Sequence, residues 1–273
     1  MHAAKDYIVF PLDVPSPEAA RALVSLLAND VGVFKVGLEL FIRSGPELVR
    51  WIQQAGSAKV FLDLKLHDIP MTVKRAMVQV ADLGVFFATV HCGESRAMLE
   101  AAVEGAGGRV NVLGVTVLTS ISPTEVAEAG YHERYAKNLQ QLVMKKAQMA
   151  REAGCSGVVC SGQEVRGIKA AFGAAFKAVT PGIRPAGGGV AADDQSRIVT
   201  PAMAIRRGAD YLVIGRPIRD AADPLAAARA VAAEIQGVLN NRSLAGSAYL
   251  DISPQSQGQD NGADHEDKTD LLG

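Results

Sequence analysis

The sequence predicts a single-domain protein of the α/β class: a (β/α)₈ TIM barrel in residues 1–238, followed by a disordered polar tail in residues 239–273. Eight short β-rich segments alternate with segments rich in Ala and Leu, and such alternation indicates a parallel sheet surrounded by helices. A length of 273 residues with 48% hydrophobic residues suits one barrel with a large core. A doubly wound open sheet shows the same alternation but seldom has eight regular units.

The elements follow one another in a regular order along the chain. The eight predicted strands are YIVFPL, VFKVG, KVFLDLK, FFATVHC, VNVLGVTVL, GVVCS, KAVTPG and YLVIG. Helical patterns lie between them, and three clear examples are PSPEAARALVSLLAND, TVKRAMVQVADLG and RYAKNLQQLVMKKAQMAREAG. Gly84 and Gly154 stand at the ends of two of these patterns, where glycine is a helix stop signal.

The segment after about Asn240 has a different composition. It reads NNRSLAGSAYLDISPQSQGQDNGADHEDKTDLLG, which is polar, rich in Gly, Ser, Gln and Asp, and without an apolar period. Such segments bury too little apolar surface to fold. We expect this tail to be disordered, and nothing in it indicates a specific partner.

The overall composition argues against several classes of protein. Lys and Arg number 28 and Asp and Glu 29, so the net charge of −1 gives no support for a nucleic-acid or membrane partner. No apolar run is long enough for a bilayer span, and MHAAKDYIVFPLD lacks the apolar run of a signal peptide. Cys92, Cys155 and Cys160 lack metal-ligand spacing and are interpreted as buried free thiols. We therefore expect a cytoplasmic protein.

Polar and charged residues collect where the predicted strands end. In a parallel barrel these ends share one rim, the face that carries catalytic residues. Taken singly, each such residue is more often a turn residue, a helix cap or a core histidine whose hydrogen bonds are satisfied. For the whole set, the alternative to a functional site is a rim of solvated charges. Convergence from many strands favours a site over that alternative. The set is Asp13, Lys35, Asp63, Lys65, Asp68, His91, Thr119 (the predicted end of the fifth strand), Arg184, Gly215 and Arg216.

The stretch FLDLKLHDIP places charges inside an apolar strand. Asp63 and Lys65 are two residues apart, so on a regular strand they point to the same side, with the alternate leucines facing the helices. Lys35 lies on the neighbouring strand, and Asp68 follows the strand, where it can turn back or reach a partner chain. In such a Lys–Asp–Lys–Asp array each charge keeps its neighbours ionised. On a catalytic rim a functional use is favoured over a purely structural one.

Two loops near the C-terminal end of the predicted barrel have the chemistry of a phosphate site. VTPGIRPAGGGVAADDQSRIVTP follows the seventh strand and IGRPI closes the eighth. Glycine-rich backbone beside a cation binds phosphate, and barrels often place phosphate at these two loops. The three glycines 187–189 fit a flexible loop equally well, whereas at Gly215 and Arg216 a strand runs directly into a cation. Gln195 offers an amide to the same phosphate or to a base.

These segments resemble orotidine 5′-phosphate decarboxylases of the bacterial type. The resemblance runs in family order from about Tyr7 to about Gly237. Its specific part is DLKLHDIP together with the lysine of the upstream KVG, because a lone DxK is a weak signal. The matching segments are PLDV, VFKVGLELF, FLDLKLHDIPMTV, TVHCG, LGVTVLTS, GVVCS, VTPGIR, DDQSR followed by TP, and VIGRPI.

The resemblance implies an enzyme that converts orotidine 5′-monophosphate to uridine 5′-monophosphate, the last step of de novo pyrimidine biosynthesis, without metal or cofactor. It implies that Lys65 donates the proton to C6, that Asp63 and Asp68 flank it, and that Lys35 completes the array and contacts the ribose. It also implies a homodimer in which Asp68 and Thr72 act in the partner's site.

The same resemblance assigns the remaining residues by the part of the substrate that they contact. Asp13 is expected at the ribose hydroxyls and Thr119 at the amide edge of the pyrimidine, with Arg184 beside a closing loop. His91 is expected to have a supporting role only. The phosphate is expected to be held by Gln195, Gly215 and Arg216.

The chain departs from the family pattern in three places. Met71 stands where the family usually has a polar residue, the PAGGGVAAD part of the loop is individual to this chain, and the tail after Asn240 has no counterpart in the family.

Two other functions share part of the pattern. Keto-gulonate-phosphate decarboxylases and hexulose-phosphate synthases have a similar DxKxxD segment but use Mg²⁺, and they carry an acid where this chain has Lys35, which would repel the ion. A barrel that only binds a nucleotide or serves as a scaffold predicts a broken tetrad, whereas all four members are present here.

Overall fold

A computed structural model describes residues 3–93, 95–185 and 197–248 of the chain. Its eight strands pair in parallel in sequence order, and the eighth pairs with the first to close a barrel. The predicted (β/α)₈ fold is confirmed, and all eight predicted strands are present, although the fifth ends earlier than the sequence predicted. The strands are β1 Ile8–Pro11, β2 Val33–Gly37, β3 Lys59–Leu66, β4 Phe87–His91, β5 Asn111–Val115, β6 Gly157–Val159, β7 Lys177–Thr180 and β8 Tyr211–Val213.

The helices cover the outside of the barrel between successive strands. A short 3₁₀ helix at Ala4–Tyr7 precedes β1. Gly84 and Gly154 follow the helices Pro70–Asp82 and Leu139–Glu152 with φ of 68° and 85°, so the predicted helix stops are confirmed. The helices are α1 Pro17–Leu27, α2 Leu38–Gln54, α3 Pro70–Asp82, α4 Arg96–Ala106, α5 Pro123–Glu128, α6 Glu133–Lys137, α7 Leu139–Glu152, α8 Val165–Phe172, α9 Pro201–Arg207, α10 Arg216–Arg219 and α11 Pro224–Ala248.

Side chains alternate between the inside of the barrel and the layer beneath the helices. Inside, the rings of Phe61 and Phe87 meet edge to face with their centroids 5.7 Å apart. Leu62, the next residue on β3, belongs instead to the larger core between strands and helices. The packed interior is a floor beneath the rim, so side chains at the strand ends lie above apolar surface. The buried members of the inner cluster are Val9, Val33, Phe61, Phe87, Leu113 and Val179.

The fifth strand is shorter than predicted. It ends at Val115 rather than at Thr119. The carbonyls of Val117 and Leu118 accept hydrogen bonds from the buried Arg197 guanidinium, at 3.3 and 3.1 Å. A side chain from the loop after β7 thus takes these acceptors, and residues 116–119 form a loop over the barrel mouth.

The long helix predicted over residues 134–154 is two helices, α6 and α7. Asn138 interrupts them with φ −147° and ψ 90°, and its side chain accepts the backbone N–H of Gln141 at the start of α7. Asparagine is a favoured residue at a helix N-terminus for this reason.

The chain divides after Leu239 into a compact N-terminal unit and a C-terminal unit. Helix α11 continues to Ala248, so the first residues of the segment predicted as a tail are helical. These residues extend a helix that has already formed, so they need no separate nucleation step, which is the unfavourable part of helix formation. The rest of the predicted tail, residues 249–273, lies outside the described residues, and its disorder stays a prediction. None of the helices in the described part of the chain is long and apolar enough to cross a membrane.

Candidate active site

A cavity of about 390 Å³ opens at the end of the barrel where the strands terminate. This volume lies in the range of small-ligand sites. Phe61 contributes to its floor, and its walls come from strand ends and the loops that follow them. The charged and hydroxyl side chains that line it are Asp13, Lys35, Asp63, Lys65, Thr119, Ser120, Arg184, Arg216 and Arg219.

Four charged side chains form a row across one side of the cavity. Asp13 Oδ1 lies 3.2 Å from Lys35 Nζ, which lies 3.5 Å from Asp63 Oδ2. The same Asp63 oxygen lies 2.9 Å from Lys65 Nζ. The row therefore alternates acid and base and carries no net charge. The sequence predicted the contacts among Lys35, Asp63 and Lys65, but it placed Asp68 rather than Asp13 at the end of the array.

Asp63 is the most buried member of this row, with a residue exposure of 9%. Burial by itself would raise the pKa of its carboxyl, but the charges of Lys35 and Lys65 and hydrogen bonds from Lys65 and Thr89 outweigh burial. The pKa of Asp63 consequently lies below its ordinary value. The carboxylate is ionised at neutral pH and holds both ammonium groups beside it.

Lys65 reaches this position through a bulge in β3. Leu62 pairs with Ala88 and Leu66 with Val90, so three residues of β3 lie opposite one residue of β4. Lys65 has φ of 50°, and it is the one residue other than glycine with positive φ in the described parts of the chain. The prediction that its side chain joins Asp63 is confirmed. The predicted reason, regular alternation along a strand, is wrong.

Asp13 projects from the loop after β1, with 57% of its side chain exposed. Two guanidinium groups hold the backbone of this loop. Arg219 Nη1 donates to the Asp13 carbonyl at 2.7 Å, and Arg43 Nη1 donates to the Pro15 carbonyl at 2.7 Å. Sequence reasoning missed Arg219, although its position three residues after Arg216 on α10 places it on the same rim.

The loops after β7 and β8 bring the residues predicted for phosphate to the same cavity. Arg216 and Arg184 both line it. At Gly215 an added Cβ would lie 2.9 Å from Pro11 Cγ, so the close approach of β8 to β1 requires glycine there. Thr119 lies in the loop that forms another wall. Gln195 lies outside the described residues.

Three predicted residues do not line the cavity. Asp68 and Thr72 are exposed, and the Asp68 carboxylate accepts the backbone N–H of Ile69 at 2.6 Å. No cation of the described residues forms an ion pair with Asp68. His91 is half-buried, and its ring centroid lies 5.9 Å from that of His67. The single chain therefore leaves Asp68 and Thr72 outside the charged row.

Thr89 is a further residue of the site that sequence reasoning missed. It is 1% exposed on β4, and its hydroxyl contacts both Asp63 and the backbone of Lys65. It stands in the TVHCG segment, where the neighbouring histidine drew attention instead. The sequence did contain one indication of its position. Thr89 lies two residues before His91, so the two side chains point to the same side of the strand.

The three cysteines are buried and free, as predicted. Burial raises the pKa of the Cys92 and Cys155 thiols to about 12, and it also raises the pKa of Cys160. Cys160 lies against the cavity, but a thiol in this state is a poor nucleophile.

Comparison with known proteins agrees with this geometry. The model of the Orotidine 5′-phosphate decarboxylase / HUMPS family matches residues 6–231. A protein of Desulfosudis oleivorans named orotidine 5′-phosphate decarboxylase is 58% identical over 238 residues, which are 87% of this chain and 96% of that protein. One of Rhodopseudomonas palustris with the same name is 46% identical over 235 residues, 86% of this chain and 96% of its own. The crystal structure of orotidine 5′-phosphate decarboxylase from Lactobacillus acidophilus superposes with a TM-score of 0.70 at 36% identity, covering 84% of this chain and 98% of that one.

Replacement of Lys35 by Met is expected to raise the pKa of Asp63, because one of the two charges that stabilise the carboxylate is lost while burial remains. A titration of the Asp63 carboxyl carbon by NMR measures this shift. Lys74→Met, which removes a lysine paired with Glu104, is the control and should leave Asp63 unchanged. Since the folded-state pKa is lowered, the stability from the ionised carboxylate is lost as pH falls through that pKa, and in Lys35→Met it is lost at higher pH. An unchanged Asp63 titration in Lys35→Met would contradict the geometry of the row.

Proposed function

Because this chain belongs to the Orotidine 5′-phosphate decarboxylase / HUMPS family, we propose that it decarboxylates orotidine 5′-monophosphate to uridine 5′-monophosphate without a metal or cofactor. The observation that carries the proposal is the row of alternating charges, with Lys65 at its end, on one side of a cavity that has Arg216 on another. In this role the protein catalyses the last step of de novo pyrimidine biosynthesis. The cytoplasmic location expected from the sequence stays a prediction.

The reaction needs a fixed positive charge at C6 of the pyrimidine. When the bond from C6 to the carboxylate breaks, CO₂ leaves and the electron pair stays on C6, where the ring offers no electron sink. A pre-oriented cation stabilises such a carbanion better than water does. The Lys65 ammonium lines the cavity and is held at 2.9 Å by Asp63. It stabilises the carbanion, transfers a proton to C6, and regains a proton from solvent.

Asp63 keeps this charge in place. Its pKa lies below the ordinary value, so it stays ionised and holds the ammonium groups of Lys35 and Lys65 beside it. Its Oδ1 accepts a hydrogen bond from Thr89, while its Oδ2 faces the two ammonium groups. Both oxygens are therefore occupied by donors from the chain itself. This arrangement supports chemistry without a metal, since a divalent cation at Asp63 would meet two positive charges.

The remaining cavity residues bind the nucleotide away from C6. We assign the ribose hydroxyls to Asp13 and Lys35 and the amide edge of the pyrimidine to Thr119. Binding energy from the remote phosphate can then be used to order the groups around C6. The residues assigned to the phosphate are Gly215, Arg216, Gln195 and, beside them, Arg184.

We further propose that the protein is a homodimer in which Asp68 and Thr72 complete the site of the partner. Both residues are exposed at the rim of their own chain. Large apolar side chains are exposed on the loops and helices that follow β2 and β3, two of them between Asp68 and Thr72 in the sequence, and an exposed apolar patch at this place supports an interface. They are Leu38 at 50%, Ile42 at 80%, Ile69 at 67% and Met71 at 51% exposure.

The related activity on sugar phosphates with Mg²⁺ remains the main alternative from the sequence. In the structure, Lys35 lies 3.5 Å from the Asp63 carboxylate, where its ammonium opposes a second cation. The first test below separates the two activities by including a chelator.

Wild-type protein in excess chelator is expected to consume orotidine 5′-monophosphate, followed by its ultraviolet absorbance. Lys65→Ala removes the proton donor and the charge at C6, and we expect it to lower kcat by at least about a thousandfold. Lys74→Ala removes a lysine on α3 outside the cavity and should retain activity. Absence of turnover by folded wild-type protein would refute the assignment, and loss of turnover in chelator would refute the metal-free mechanism.

Mixing two inactive variants tests whether the site is shared between chains. If Asp68 acts across the dimer, each heterodimer of Lys65→Ala and Asp68→Ala has one intact site and one site with both changes. Random pairing of equal amounts then restores about a quarter of wild-type activity. If Asp68 acts in its own chain, both sites of the heterodimer are damaged and mixing restores nothing. Each variant alone, refolded in the same way, is the control.

A further inference from the structure

The bulge that presents Lys65 lies opposite a single residue of β4. Leu62 pairs with Ala88 and Leu66 pairs with Val90, so the three residues between the leucines face Thr89 alone. A bulge leaves backbone groups without their ladder partners. In a buried strand such groups need another partner, because an unsatisfied donor is costly.

The hydroxyl of Thr89 supplies that partner. Its Oγ1 accepts the backbone N–H of Lys65 at 2.9 Å, and it donates to Asp63 Oδ1 at 2.9 Å. Thr89 is 1% exposed, so water does not compete for these bonds. A hydroxyl has one donor and two acceptor positions, and here the donor is directed to the carboxylate.

These contacts close a ring of hydrogen bonds. Thr89 joins the backbone of Lys65 to one oxygen of Asp63, and the other oxygen of Asp63 joins the ammonium of the same lysine at 2.9 Å. Lys65 has φ of 50°, a conformation that a lysine adopts only when its surroundings hold it there. The ring therefore fixes both ends of Lys65 and the rotation of the Asp63 carboxyl group.

We propose that Thr89 is a positioning residue for decarboxylation, whose hydroxyl holds the Lys65 bulge and the Asp63 carboxylate in the arrangement that places the ammonium at C6. This inference rests on the proposed function. Thr89 is not among the side chains that line the cavity, so it acts through its two neighbours. Asp13 and Arg216, which are assigned to ribose and phosphate, follow β1 and β8 rather than β4, so we expect their positions to persist when the hydroxyl is removed.

The test compares variants that differ only in the hydroxyl. Thr89→Val keeps the shape and removes both hydrogen bonds, while Thr89→Ser keeps the hydroxyl and loses the methyl group. Thr89→Ala paired with Thr89→Ser gives the same comparison if the valine variant does not fold. Thr116→Val is the matched control, because Thr116 is also 1% exposed and its hydroxyl donates at 2.9 Å to the Val159 carbonyl rather than to a charged group.

We expect Thr89→Val to lower kcat about tenfold to a hundredfold, the loss typical of a hydrogen bond to a charged group, with little change in KM. Thr89→Ser should restore most of kcat. Thr116→Val should affect thermal stability without this selective loss of kcat. A folded Thr89→Val with the kcat of wild type, or equal losses in the serine and alanine variants, would overturn the proposal.

A second readout does not depend on turnover. The groups that face Asp63 are Lys35 from β2, Lys65 from β3 and Thr89 from β4, and Asp13 faces Lys35 from the loop after β1. Loss of the Thr89 bond removes one of the groups that favour the carboxylate, so the Asp63 carboxyl should titrate at higher pH in Thr89→Val than in wild type or Thr89→Ser. If the wild-type protein is inactive and Thr89→Val still shows this shift, the proposed function is refuted, while the hydrogen bond from Thr89 to Asp63 is established. An active wild type without the shift would refute the positioning role.

Discussion

The site depends on one carboxylate, that of Asp63, buried between two ammonium groups. A buried charge is costly unless it is paired and hydrogen-bonded, and Asp63 is both, through Lys35, Lys65 and Thr89. Each partner comes from a different strand or from the bulge in β3. The position of Lys65 is therefore a consequence of how three neighbouring strands meet. Any change that separates them leaves an uncompensated charge above the apolar floor.

The barrel explains why this cluster and the residues proposed to bind the nucleotide belong to one cavity. Phe61 and the other inner side chains fill the barrel beneath the rim, so charged groups can lie only at the strand ends. The charged row follows β1 to β3, whereas Arg184 and Arg216 follow β7 and β8. Since β8 pairs with β1, the two sets are brought to the same mouth. Arg184, Arg216 and Lys65 therefore line the same cavity.

Much of this arrangement was predictable, because strand order and the common rim follow from the alternation of strands and helices. That rule placed Asp13, Lys35, Asp63, Lys65 and Arg216 around one cavity. It did not predict the bulge or the contacts of Thr89, since both depend on the register between β3 and β4, which no local pattern encodes. The early end of β5 likewise depends on a contact with Arg197, far along the chain. The place proposed for Asp68 and Thr72 depends on a second chain, which no pattern within one chain describes.

The central claim is that the ammonium of Lys65 stabilises a carbanion at C6 and exchanges a proton with it. Proton exchange at C6 of the product tests this most directly, because it needs the same carbanion without loss of CO₂. Uridine 5′-monophosphate is incubated with the enzyme in D₂O, and the C6 hydrogen is followed by proton NMR. The account predicts that wild-type protein replaces this hydrogen with deuterium and that Lys65→Ala does not. Exchange that is undiminished in Lys65→Ala, or absent in a wild type that decarboxylates, would contradict it.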